Sequence, residues 1–130
     1  MILLDPQGER AEAGDVLVIS PNLDRAVTLA NEPYSTAIAG VYSTEPGFIG
    51  GGSAEEDVAE NRIPVAIVGI VPVKVSAENG SIRRGDLLTS ASLPGHAMKA
   101  TEYVPGAILG KAMGELESGT GVILVLLLLK

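Results

Sequence analysis

His96 is the single histidine of the chain, in the run Leu93-Pro94-Gly95-His96-Ala97. An imidazole could act as general base for a serine nucleophile, and Ser90 and Ser92 are close in sequence. No Gly-x-Ser-x-Gly motif is present, and proximity in sequence does not establish the geometry of a triad. We therefore interpret His96 as a polar turn residue that begins a strand, with catalysis as the alternative.

Lysines offer a second route to an activated serine, because a desolvated amine can serve as the base. The candidates are Lys74, Lys99 and Lys111. Lys99 and Lys111 lie inside apolar runs with the character of β-strands, where alternate side chains point outward. We therefore interpret them as solvated residues on strand faces.

An acidic cluster is the best candidate for binding a metal ion through oxygen; it comprises Glu55, Glu56, Asp57 and Glu60. Calcium loops place acids at alternating positions together with a turn glycine, and this cluster lacks that spacing. Ser53 and Glu56 instead fit a capping box. The pattern predicts one short helix over about 54–60, with its acids favoured by the helix dipole, and no metal site.

The triple glycine Gly50-Gly51-Gly52 is not followed by the Gly-Lys-Ser/Thr of a phosphate-binding loop. We interpret it as a hinge. Neither this segment nor any other predicts a cofactor, so the sequence indicates no catalytic, cofactor-binding or metal-binding residues.

The amino-acid composition indicates the domain organisation and excludes several classes of binding partner. The chain has 130 residues, 46% of them apolar and mostly aliphatic, which suits a single domain over residues 1–130 with a core of branched side chains. The net charge of −7 and the scattered basic residues argue against nucleic acid and against an anionic membrane surface. No cysteine is present for disulfides or thiolate chemistry.

The elements that must position these residues are short strands separated by Gly and Pro. Apolar runs predict strands at 2–4, 15–20, 26–30, 37–42, 65–75, 86–90, 96–100, 107–113 and 122–129. Pro72 lies within one of them and predicts a bulge, a bend or an edge, because proline cannot donate to the ladder. The run at 122–129 is apolar throughout, and we expect a core strand or, in part, a subunit interface.

An internal repeat runs through the sequence. Gly14-Asp15-Val16-Leu17 recurs 71 residues later as Gly85-Asp86-Leu87-Leu88, and Ala37-Ile38-Ala39-Gly40 recurs 70 residues later as Ala107-Ile108-Leu109-Gly110. Residues 14–75 thus correspond to 85–130. Two units are too few for a solenoid. We predict an all-β fold, a pseudo-two-fold small barrel or tight sandwich built from two interleaved halves with Gly-Asp turns.

Several segments together resemble the β-rich C-terminal domain of phage tail-fibre, appendage and bacterial surface-fibre proteins. They are residues 39–43, 46–47, 63–75, 85–90, 94–100, 106–112 and 119–121, followed by the aliphatic tail. Some members of that group are autoproteolytic intramolecular chaperones. The resemblance implies a terminal domain joined to an upstream fibre segment, most often trimeric, on a virion or cell surface.

From these observations we expect a non-enzymatic structural or assembly domain that forms a homo-oligomer, preferably a trimer. One alternative is a self-cleaving serine peptidase that uses a lysine or His96. The other is a carbohydrate- or ligand-binding module that uses residues 43–62 and Tyr42, for which an aromatic content of 3% is thin support.

Overall fold

A computed structural model describes residues 2–5, 11–44 and 62–130, and the backbone of 48–50. Every regular element in this part of the chain is a β-strand. The eleven strands are β1 (Ile2–Leu4), β2 (Val16–Ile19), β3 (Ala26–Leu29), β4 (Ile38–Tyr42), β5 (Phe48–Gly50), β6 (Arg62–Ile63), β7 (Val65–Ser76), β8 (Leu87–Ser90), β9 (Ala97–Lys99), β10 (Gly110–Ala112) and β11 (Thr120–Leu128).

Five of these strands close on themselves, and we call them the C-terminal barrel. Their order is β11-β10-β8-β9-β7, and β7 returns to pair with β11 along nine residues, from Thr120↔Ser76 to Leu128↔Val68. The β7–β9 pair is parallel and the others are antiparallel. The closed barrel leaves no open edge within this set of strands, and the prediction of an all-β small barrel is confirmed.

The remaining strands form a second circuit, which we call the N-terminal ring. β1 pairs parallel with β3, β3 with β2, β2 with β4, and β4 with the start of β7. The circuit returns to β1 through β6, which precedes β7 by a single residue, Pro64. The continuous segment 62–76 therefore serves both circuits: β6 and residues 65–66 pair in the N-terminal ring, and residues 68–76 pair with β11 in the C-terminal barrel. The two halves of the chain meet through one shared strand, β7.

The two Gly-Asp turns have the same hydrogen bonds. The Asp15 carboxylate accepts the Glu12 N–H at 2.7 Å, and the Asp86 carboxylate accepts the Arg83 N–H at 2.9 Å. In each turn the preceding glycine has positive φ, 98° and 92°, and donates its N–H to the end of β4 or of β10. The glycines supply the left-handed conformation, and the aspartates close the turn.

Two glycines in equivalent strands permit a close backbone approach. A Cβ on Gly40 in β4 would overlap the carbonyl oxygen of Ala66, and a Cβ on Gly110 in β10 would overlap that of Leu126. Both contacts involve the strand that follows in the circuit, β7 or β11. Glycine is required there because no side chain fits between the strands.

Each circuit has its own set of buried aliphatic residues. The N-terminal ring buries Leu4, Leu17, Val27, Ile63 and Val65. The C-terminal barrel buries Val75, Leu88, Ala97, Ile123 and Val125, which belong to the larger core. Residues of the N-terminal strands that face the opposite way pack into that larger core as well; they are Val16, Ala30, Val41 and Ala66. The two circuits are thus joined by continuous apolar packing.

Backbone hydrogen bonds reinforce the junction. The turn at Gly95, between β8 and β9, accepts the N–H of Val16 and donates to the carbonyl of Ala30, both at 2.8 Å. In return, the loop between β3 and β4 reaches the C-terminal barrel, where the Tyr34 hydroxyl accepts the N–H of Thr101 at 2.9 Å. These reciprocal contacts fix the two circuits relative to each other.

Several details differ from the expectations drawn from sequence or extend them. β5 and β6 were not predicted as strands, and the helix predicted over 54–60 lies outside the described residues.

Pro72 causes no register shift, because it pairs with Leu124 in an unbroken ladder. The neighbouring Lys74 directs its N–H away from β11, to the carbonyl of Gly14. Alternation gives Pro72 the same direction, so its missing N–H removes no β7–β11 bond.

Candidate functional site

The most distinctive surface is the outer face of the β7–β11 ladder, where large aliphatic side chains remain exposed. Val68 and Ile70 on β7 are each 49% exposed, and Val122 and Leu124 on β11 are 63% and 50% exposed. Register places Leu124 opposite Pro72, and Leu126 opposite Ile70. These side chains therefore form one stripe across two paired strands.

Met113 widens the stripe at the end of β10. Its N–H donates to the carbonyl of Leu124, and its side chain is 46% exposed. Ala112 and Val125 are paired and buried, so alternation places Met113 and Leu124 on the outer side. We call Val68, Ile70, Met113, Val122 and Leu124, with the half-buried Pro72, Leu126 and Leu128, the apolar face.

This face corrects one expectation. Residues 122–129 were predicted to be a buried core strand, but only alternate residues of β11 are buried: Ile123, Val125 and Leu127. The inner side fills the C-terminal barrel, and the outer side is the apolar face. The alternative, that part of this run is a subunit interface, stays a prediction.

The electrostatics of the face are set by lysines at its margins, with no acidic residue in β7, β10 or β11. Lys111 is exposed on β10. Lys74 forms ion pairs with Asp15, at 2.9 Å, and with Glu12. Partial burial by itself would lower the pKa of Lys74, but the hydrogen bonds to Glu12 and Asp15 outweigh it and raise that pKa. Lys74 is held as a cation and is poorly suited to act as a base.

A small recess adjoins the face where it meets the Gly-Asp turn of the N-terminal ring. It has a volume of about 70 Å³, and Gly14, Tyr42, Pro72 and Val122 are among its lining residues. Its lining is mainly apolar, so it extends the apolar face toward Tyr42. A larger recess of about 340 Å³ lies elsewhere in the N-terminal ring, near Asp5, Asn22, Asn31 and Glu32.

The predicted nucleophiles take part in structural hydrogen bonds. Ser90 is fully buried; its hydroxyl donates to the carbonyl of Glu32 at 2.7 Å and accepts the Ser35 N–H at 2.9 Å. The Ser92 hydroxyl donates to the Glu78 carboxylate at 2.6 Å. The His96 ring contacts the carbonyl of Pro94 through Nδ1 at 2.9 Å. In these hydrogen bonds, Ser90, Ser92 and His96 each pair with another group, not with one another.

The remaining predicted residues are dispersed. Lys99 lies 3.8 Å from the Asp86 carboxylate, and Lys111 is on the outer side of β10. The acidic cluster Glu55, Glu56, Asp57 and Glu60 lies outside the described residues, as do Gly51 and Gly52, whereas Gly50 ends β5. Within the described part of the chain, no group of three or more acids or histidines could hold a metal ion.

Glu78 organises the turn between β8 and β9. Its carboxylate accepts the hydroxyl and the N–H of Ser92, the latter at 3.0 Å, and the N–H of Leu93 at 3.4 Å. Partial burial would raise the pKa of Glu78, but these hydrogen bonds outweigh it and lower that pKa. The role of Glu78 in this turn was not apparent from the sequence, because the Ser92 and Leu93 groups that it binds lie 14 and 15 positions away.

Replacing Glu78 with glutamine should lower the melting temperature at pH 7 and have no effect near pH 2. A depressed carboxyl pKa in the folded state stabilises the protein above the unfolded-state pKa of about 4.3. That stability is lost as the pH falls through the folded-state value. Thermal melts from pH 2 to pH 7 should therefore converge at the acid end. Glu117→Gln, at an exposed position in another loop, is the control, and parallel curves would contradict the prediction.

Comparison of the chain with protein families, with curated proteins and with solved structures finds no match in any of the three. In the described residues there is also no helix of the length and hydropathy needed to span a membrane.

Proposed function

We propose that this chain is a non-enzymatic structural domain that assembles with copies of itself, preferably three, at the end of a longer fibre or surface appendage. The observation that carries the proposal is the apolar face. The largest contiguous apolar patch on a protein surface, usually a few hundred Å² in area, often marks an interaction surface.

The framework behind the face suits a structural role. Both circuits of strands close, the turns are fixed by Gly-Asp hydrogen bonds, and the circuits are joined by a shared strand and a common core. A face on regular paired strands keeps its shape, which lowers the entropic cost of association. The upstream fibre segment and the surface location are proposed because the sequence resembles the β-rich C-terminal domains of tail-fibre and surface-fibre proteins.

The surroundings of the candidate nucleophiles support a non-enzymatic role. A serine activated by a base needs that base within hydrogen-bond reach. The hydroxyl of Ser90 instead donates a hydrogen bond to the carbonyl of Glu32, and that of Ser92 donates one to the carboxylate of Glu78. Lys74 is ion-paired. Self-cleavage would require these interactions to be broken first.

The purified chain should keep its intact mass during several days at 25 °C and neutral pH, with or without nucleotide or divalent cations. Mass spectrometry of the whole chain measures this directly. Ser90→Ala, Ser92→Ala and His96→Ala are the matched variants. A discrete fragment that forms in the wild type and is missing in one of these variants would replace the structural role with the self-cleaving alternative.

A further inference from the structure

We infer that the apolar face packs against the same face of other copies of this chain, in a contact too small to hold free copies together firmly. The inference rests on the proposed function and specifies its interface.

The area of the face limits the strength of the contact. Five side chains that are about half exposed, on adjacent strands, amount to a few hundred Å² of apolar surface. A stable interface between independent proteins buries about 800 Å² on each partner. The face is therefore smaller than a standard interface, and free copies should associate weakly.

Charge favours a second copy as the occupant. The chain carries a net charge of −7, so most orientations of two copies bring acidic surfaces together. Strands β7, β10 and β11 contain no acidic residue, and their two lysines lie at the margins of the stripe. Contact through the apolar face avoids the like-charge repulsion that would oppose contact elsewhere.

The position of the lysines leaves the centre of the face uncharged. Lys74 is drawn toward the Gly-Asp turn by Asp15 and Glu12, and Lys111 lies opposite Leu126, at the edge of the face on β10. The central pair, Leu124 with Pro72, can therefore meet a neighbouring copy without burying a charge. Met113 adds an adaptable side chain at the margin.

Attachment to a common fibre would compensate for the small area. Copies linked through a shared stalk experience an effective concentration of roughly millimolar. An association that is weak between free chains is then nearly complete within the fibre. At micromolar concentrations the contact would form mainly after the stalk has brought the copies together, so its small area disfavours aggregation of separate chains.

Sedimentation equilibrium of the free chain, from about 1 µM to about 1 mM, tests the inference. The average mass should be that of one 13.3 kDa chain at the low end and should at least double toward the high end. Leu124→Lys and Val122→Lys should abolish the increase, because each places a charge on the face. Both positions are at least half exposed, and circular dichroism verifies that the variants fold.

Ile19→Lys is the matched control, since Ile19 is 60% exposed on β2, outside the face. Its mass curve should match that of the wild type. If association occurs but is unchanged in both face variants, the interface is wrong and the assembly role stands. If the wild type remains a single chain up to 1 mM, both the interface and the assembly role are wrong.

Discussion

Replacing Val125 with aspartate should prevent the protein from folding, whereas the same replacement at Leu124 should leave a folded domain. Val125 is completely buried in the C-terminal barrel, and β11 is paired on both sides at this position. An unpaired carboxylate there would cost on the order of 5 kcal/mol, which is a large part of the stability of a domain this size. Leu124 is half exposed, so an aspartate at that position stays hydrated.

Circular dichroism and urea denaturation of both variants measure this contrast. The pair is closely matched, because the two residues are adjacent and receive the same side chain. Equal loss of structure in both variants would show that the outer side of β11 is buried as well. Equal tolerance would show that β11 is peripheral to the core.

Replacing Gly110 with alanine should destabilise the protein by on the order of 3 kcal/mol. The new methyl group would overlap the backbone of β11 at the Leu126 carbonyl. A backbone atom of a central strand cannot move aside as a flexible side chain can. Relief therefore requires β10 and β11 to separate, which weakens a ladder of the closed barrel. Urea denaturation at 25 °C measures the free energy of unfolding.

Gly121→Ala is the appropriate control. Gly121 also lies in a strand, but a Cβ there would meet only the end of the Leu116 side chain, at 3.1 Å. That side chain can rotate, so the change in stability should stay within about 1 kcal/mol. A similar small effect at Gly110 would mean that the approach of β10 to β11 is looser than the structure shows.

Most of the strands were predictable because they lie in aliphatic runs bounded by Gly, Pro or polar residues. The runs at 2–4, 26–30 and 65–75 match β1, β3 and β7 to within a residue at either end. The Gly-Asp turns were predictable for a local reason, since the carboxylate bonds to an N–H only three residues away. Interactions between residues close in sequence can be recognised from the local order of residue types.

Two features were not predictable in the same way: the participation of residues 62–76 in both circuits, and the apolar face. β6 has two residues and depends on pairing with β1, about sixty positions earlier, so no local pattern reveals it. The face was hidden because residues 122–129 are apolar at every position, a pattern typical of strands covered on both sides. Only the register of β11 against β7 and β10 distinguishes its inner side from its outer side.

The strand that belongs to both circuits has a consequence for how the molecule responds to tension and truncation. In a tandem repeat joined by a linker, the units can unfold one at a time, but here there is no linker between the two circuits. Within β7, residues 65–66 pair with β4 and residues 68–76 pair with β11, so tension on one circuit is transmitted along a continuous strand to the other. A cut before residue 65 would take from the N-terminal ring the residues that pair with β4, and a cut after residue 68 would take strand residues from the C-terminal barrel. At the end of a filament, such a domain would resist force as one unit.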